Sequence, residues 1–135
     1  MAENIDIPDC FVVDASFVLA FLLSDEKAAK VDKVFINYQQ GKVKLVSSTI
    51  LGFEVLNALR AAVLTKRITQ NLSLKLAQNF LDLHIDLQEP ILKEIFLIAF
   101  KYGVSVYDAA YIHLSKNRHL PLLSLDKSIQ KALLA

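Results

Sequence analysis

Short apolar runs alternate along this chain with longer stretches of helical periodicity, and that alternation limits the fold more than any other feature. CFVV (10–13), KVKLVS (42–47), VSVY (104–107) and PLLSL (121–125) are rich in β-branched and aliphatic residues. Each is too short for a helix, so each reads as a buried strand. LHIDLQ (83–88) alternates apolar with polar and reads as an edge-like strand. Helices are expected between them: 16–23 with Ser16 as cap, 27–40 closed by Gly41, and 47–67 capped by Ser48 or Thr49. Three more are expected at 71–81 capped by Thr69 or Asn71, from a first position at Pro90 to Gly103, and over 108–117; a last one runs from 126. Strands that alternate with helices imply parallel βαβ units. The expected fold is therefore α/β: a single three-layer α/β/α domain over residues 1–135, with a central parallel sheet of four or five strands.

In an open parallel sheet the C-terminal strand ends share one rim, where ligands bind. CFVV runs into Asp14, VSVY into Asp108 and PLLSL into Asp126, so three distant aspartates are expected at one edge. Glu54, one to two turns into the helix after KVKLVS, is expected to emerge beside them. Helix capping is the plain alternative for each aspartate. It does not account for Glu54, which lies inside a helix. Two carboxylates ~5 Å apart repel by roughly 3 kcal/mol at an effective dielectric near 20. Such a cluster shifts pKa values upward or recruits a cation. Its donors are all hard oxygens, which selects Mg²⁺ or Mn²⁺ over zinc, and such an ion activates water against phosphorus.

Composition sets the remaining bounds. With 135 residues, 54% hydrophobic and 21% charged, the chain has enough apolar mass for one core. A net charge of +1 excludes a broad basic field, so any polyanion must be held by local patches or by metal. A single cysteine, Cys10, excludes an internal disulfide and a multi-cysteine zinc site. With no signal-peptide pattern, it points to a reducing cytoplasm. The stretch from Phe11 to Leu23 is too short to span a bilayer and is interrupted by Asp14 and Ser16, so no membrane association is expected. The high mean hydropathy suggests apolar surface left for a second copy of the chain.

Three blocks carry a family resemblance: VVDASFVLAFLLSDE around Asp14, EVLNALRAAV from Glu54, and SVYDAAYIHLSKNRHLPLLSLDKSIQKAL around Asp108 and Asp126. In this order they resemble the signature blocks of the PIN-domain family, and most closely its VapC-like branch of toxin–antitoxin ribonucleases. The resemblance covers essentially the whole chain. It implies a Mg²⁺- or Mn²⁺-dependent endoribonuclease, an RNA substrate, a cognate antitoxin protein and a homodimer. By position it implies that Asp14, Glu54, Asp108 and Asp126 are the catalytic, metal-holding acids. Ser16, Asn57 and Ser124 match family positions beside them. Leu125 fills a position that is often small, and Ser47-Ser48-Thr49 lacks a proline often found there.

Other residues have two readings each. Lys27, Lys30, Lys33, Lys42 and Lys44 either solvate their elements or track an RNA backbone. Arg60 reaches an RNA groove from the side or stays solvated. Tyr107 and Tyr111 stack on bases or pack between helices. His84, His113 and His119 read as structural or solvated. Phe35, Tyr38, Phe80 and Leu81 are candidates for a dimer face. Among functions, the alternative to the nuclease is a catalytically weak PIN-like RNA- or protein-binding module. A phospho-receiver wants paired acids after the first strand, and a halo-acid-type phosphatase wants D-x-D. Asp14-Ala15-Ser16 supplies neither.

Overall fold

Strand β1 (Asp9–Val13) passes directly into helix α1 (Ala15–Leu23), with Asp14 alone at the junction. The structure is a computed structural model that describes residues 9–23 and 29–134. Lys27 and Ala28, the first two residues expected of the second helix, lie outside the described residues. The chain continues through α2 (Ala29–Gln39), β2 (Val43–Ser48), α3 (Leu51–Leu64), α4 (Gln70–Asp82) and β3 (Asp86–Gln88). It ends with α5 (Leu92–Tyr102), α6 (Val106–Arg118), β4 (Leu122–Leu123) and α7 (Lys127–Leu133).

The four strands form one parallel sheet in the order β3-β2-β1-β4. The expected edge strand near residue 86 is at an edge, and the most apolar strands, β1 and β2, are central. Strand periodicity sorts their side chains to two faces. Val13 and Leu45 join the larger core with Phe17 of α1, Phe35 of α2 and Leu51 and Val55 of α3. Val12 and its register partner Val46 face the other way, onto Leu114 of α6. The sheet is thus flanked by helices, seven among the described residues, in the α/β arrangement expected.

The largest departure from expectation is VSVY. It is no strand: Ser105 caps α6 by accepting from Asp108 N at 3.0 Å, and Val106 and Tyr107 are the first two residues of that helix. Four apolar residues do not distinguish a strand from a helix start. The Ser105-x-x-Asp108 pattern is a helix-start signal that settles it. Gly103, with φ 65°, ends α5 in the left-handed region, and α6 leaves at 104° to α5. Smaller corrections follow the same logic of capping. Asp14, not Ser16, caps α1. Ser48 is the last residue of β2, and α3 begins after Ile50 with no side-chain cap. Thr69 caps α4. Pro90 precedes the α5 cap, Ile91, instead of occupying the first helical position.

Two residues assigned to a dimer face, Phe35 and Phe80, are 0% and 6% exposed and belong to the core of this chain. Tyr38 donates its hydroxyl to the Leu83 and His84 carbonyls, and Leu81 alone of the four is exposed. No single helix among the described residues is long and apolar enough to cross a membrane.

Candidate active site

Asp14 sits where β1 becomes α1 and is 2% exposed. A bare carboxylate there is costly unless its oxygens are satisfied. Oδ1 accepts from Phe17 N at 3.0 Å, which caps the helix, and from the Ser16 hydroxyl at 2.7 Å. Oδ2 accepts from the Ser124 hydroxyl at 2.5 Å. Burial pushes the Asp14 pKa upward, these three donors oppose the shift, and the charge of Asp126 adds to it.

The same serines tie the chain after β4 to this point. Leu125 N donates to Ser16 Oγ at 2.8 Å, and Asp126 N donates to Ser124 Oγ at 3.0 Å. Asp126 then caps α7, accepting from Ile129 N at 3.0 Å. Residues more than 100 positions apart in sequence are in this way locked across the β1–β4 pair.

Asp108 enters from α6. Its pKa is pushed up to about 6, first by burial and then by the charges of Asp126, Glu54 and Asp14, with slight relief from Ser105. Three carboxylates therefore act on a fourth, and no cation is among the causes. Glu54 is the fourth residue of α3, and its Oε1 accepts from the Tyr111 hydroxyl at 2.6 Å. Tyr111 is 1% exposed; burial raises its pKa, its bond to Glu54 adds to that rise, and the Ala15 backbone N–H opposes it.

A carboxylate has about four lone-pair sites. Asp14 has used three, so only Oδ2 retains acceptor capacity. Tyr111 leaves Glu54 Oε2 open and the α7 cap leaves Asp126 Oδ2 open, while the Asp108 carboxyl has the Ser105 hydroxyl as its side-chain hydrogen-bond partner. What remains is an all-oxygen, anionic donor set suited to a hard divalent cation. The set is an open one. Among the described residues, no three His, Cys, Asp or Glu side chains already stand at metal-holding spacing.

A family profile described as PIN domain matches residues 11–132, nine-tenths of the chain and all four acids. The chain belongs to the PIN domain family. A curated relative, Ribonuclease VapC3 of Pyrobaculum aerophilum, is 30% identical over 122 residues, which cover 87% of this chain and 90% of that protein. Among solved structures, PAE2754 from Pyrobaculum aerophilum superposes with a TM-score of 0.75 at 22% identity, over 93% of this chain and 87% of that one. Mycobacterium tuberculosis VapC20, described as a Sarcin-Ricin loop cleaving toxin, gives 0.65 at 14% identity, over 90% and 94%. The two structural likenesses establish the PIN fold.

Within this PIN domain the remaining candidates separate. Ser16 and Ser124 are both bonded to Asp14. Asn57, one turn beyond Glu54, is exposed on α3. Arg60 is exposed beside the α3–α4 cleft with Leu56, Leu59 and Val63, and it is absent from the charges acting on Asp108. Lys42 and Lys44 are at the wrong end of the sheet for RNA at the acids. Lys44 is level with Cys10 in the β1–β2 register, four residues or about 13 Å from Asp14 at ~3.3 Å per residue. Parallel strands place their N-terminal ends opposite the acidic rim. Lys30 and Lys33 are exposed on α2. His113 is buried with its Nε2 3.4 Å from Glu94, while His84 and His119 are exposed. The role missed by sequence reasoning is that of Tyr111, read as stacking on bases or packing between helices, which donates its hydroxyl to Glu54. Its signal was available: three positions after Asp108 lies on the same helix face.

Proposed function

We propose that this PIN domain is a metal-dependent endoribonuclease, the toxin component of a toxin–antitoxin pair, working in the cytoplasm. One observation carries the reading: Asp14, Glu54 and Asp126, drawn from three separate parts of the chain, all act on Asp108, whose pKa is held near 6 first by burial and then by their charges. A chain gains nothing in stability from such repulsion, which fits a site shaped for a positively charged guest. The likeness to Ribonuclease VapC3 supports RNA as substrate and a cognate antitoxin as partner.

Asp14 Oδ2, Glu54 Oε2, Asp126 Oδ2 and Asp108 would hold Mg²⁺ or Mn²⁺. When bound, such an ion supplies charge stabilisation at phosphoryl oxygens and activates water. Ser16 and Ser124 fix the orientation of Asp14, so its one free acceptor faces the cleft. Tyr111 fixes Glu54 in the same way. Ser105 holds Asp108 at the start of α6. With four acids facing one cleft, the chain's own side chains repel a phosphodiester until cationic charge is present. We assign the homodimer to the exposed face of α5, where Leu92, Phe96, Leu97 and Phe100 are 72%, 55%, 60% and 75% exposed.

The open spacing of the acids favours one rival, an RNA- or protein-binding module with little turnover. Cleavage of RNA with Mn²⁺, compared between wild type and the Asp14→Asn and Asp108→Asn variants, separates the two. Loss of cleavage in both variants, with folding retained, is the expected result. Cleavage that persists in either variant rejects the assignment, and a wild type that takes up no divalent ion in calorimetry selects the binding module.

A further inference from the structure

Beside the acidic cleft is a cavity of opposite character. Tyr102, the last residue of α5, has Lys101 Nζ 5.3 Å and Lys116 Nζ 5.2 Å from its ring centroid. The ring face attracts cations, and that attraction gathers two ammonium groups that would otherwise repel each other. Lys131 of α7 joins Lys101, Tyr102, Gly103, Val104 and Ser128 in lining a cavity of about 310 Å³. No carboxylate among the described residues lines it. Among the described residues, none of the three lysines has a carboxylate within ion-pair distance. Both ammonium groups at the ring also act on the Tyr102 hydroxyl and hold its pKa below the usual value, Lys116 most strongly.

Lysines that only solvate a helix spread along its outer face. These three come from three helices, and among the described residues they meet no counter-charge. Their location gives them a use. Val104 precedes Ser105, the cap that sets Asp108, and Ser128 is two residues past Asp126. Lys116 is eight residues along α6 from Asp108, about 12 Å at 1.5 Å per residue. Val104 and Ser128 thus bring the cavity up to the α6 and α7 starts, whereas Lys116, in the last turn of α6, stands back from Asp108 along the path an RNA backbone would take.

We propose that Lys101, Lys116 and Lys131, with Tyr102 and Ser128, form a phosphate subsite that grips the RNA backbone a few nucleotides from the cleaved bond. This rests on the ribonuclease reading. The chain has almost no net charge, so a local grip of this kind is what its affinity for a polyanion requires. The assignment also replaces Lys42 and Lys44, which the sheet carries to its opposite end.

The test is binding of a labelled single-stranded RNA oligonucleotide in EDTA, followed by fluorescence anisotropy across a range of salt. The Lys101→Ala/Lys116→Ala/Lys131→Ala variant is compared with wild type and with Lys42→Ala/Lys44→Ala. All five side chains are exposed, and circular dichroism checks that each variant folds. Each lysine on a phosphate contributes ~0.7 to the slope of log K against log salt. The triple variant should lose about 2 from that slope and bind at least about tenfold more weakly at low salt, while the Lys42/Lys44 pair keeps the wild-type slope. An unchanged slope in the triple variant, or an equal loss in the pair, overturns the subsite while leaving the ribonuclease reading intact. Wild type that binds no RNA in EDTA overturns the subsite alone, because the ribonuclease reading is judged separately by cleavage with Mn²⁺. Competition by inorganic phosphate as effective per phosphate as the oligonucleotide assigns the cavity to free phosphate and overturns the backbone grip.

Discussion

Replacing Asp108 with asparagine should stabilise the metal-free protein at neutral pH, an unusual outcome for loss of a half-buried charged group. The fold raises this carboxyl from an ordinary value near 3.8 to about 6, through burial and three neighbouring acids. Between those two values the folded chain keeps a proton that the unfolded chain has lost. The folded state then binds more protons, so stability falls as pH rises through this window. The stabilising contribution is complete below about pH 4 and gone above about pH 6. A shift of about 2 units corresponds to about 3 kcal/mol at 1.36 kcal/mol per unit. Asp108 is only half-buried, so solvent screening reduces this to about 1 kcal/mol. For a chain of this length that is about 3–4 °C in Tm. The assay is thermal unfolding of wild type and Asp108→Asn in EDTA at pH 7.5 and pH 4. The variant should melt higher at pH 7.5 and equally at pH 4. Saturating Mg²⁺ or Mn²⁺ at 100 times Kd, worth about 2.7 kcal/mol to the wild type, should reverse the order at pH 7.5. A variant that melts at or below wild type in EDTA at pH 7.5 refutes the claim that these acids repel one another in the folded state.

Tyr111→Phe keeps the buried ring and removes only the donor to Glu54. It should cost about 1 kcal/mol in urea unfolding, since the partner is charged but partly solvated, and weaken Mn²⁺ binding measured by calorimetry. Equal Mn²⁺ affinity in the two proteins would show that Glu54 needs no such anchor. Phe35→Ala should cost about 3–5 kcal/mol, because Phe35 is fully buried and its ring lies 4.3 Å from that of Phe21 and 5.8 Å from that of Phe17. A change of oligomeric state in sedimentation with little loss of stability would instead return Phe35 to an interface.

Much of this architecture was legible because it is local. Apolar runs and alternation located all four strands, with LHIDLQ at an edge. Where a run was only four residues long the pattern was ambiguous, and VSVY became the first turn of α6. Asp108 still arrives at the rim, but by helix geometry and the Ser105 cap, not by strand direction. Likewise PLLSL contributes only Leu122 and Leu123 to the sheet, and Asp126 reaches the cleft through a helix cap. The lysines kept two readings in the sequence, solvation or an RNA track, and the parallel register, which sets Lys44 level with Cys10, places Lys42 and Lys44 away from the acids.

The sequence by itself determined which acids exist, that Asp14 follows a buried strand, and that strands alternate with helices in a parallel sheet. Those properties depend on side-chain period and chain direction, which a few neighbouring residues set. Only the tertiary structure decided how the acids are satisfied and opposed: Ser124 on Asp14, Tyr111 on Glu54, and three carboxylates acting on Asp108. It also decided that Lys101 and Lys116 meet over the Tyr102 ring and that Lys131 lines the adjoining cavity. Such pairings join side chains tens of residues or more apart, and their distances are fixed by the packing of whole elements, which no local pattern encodes.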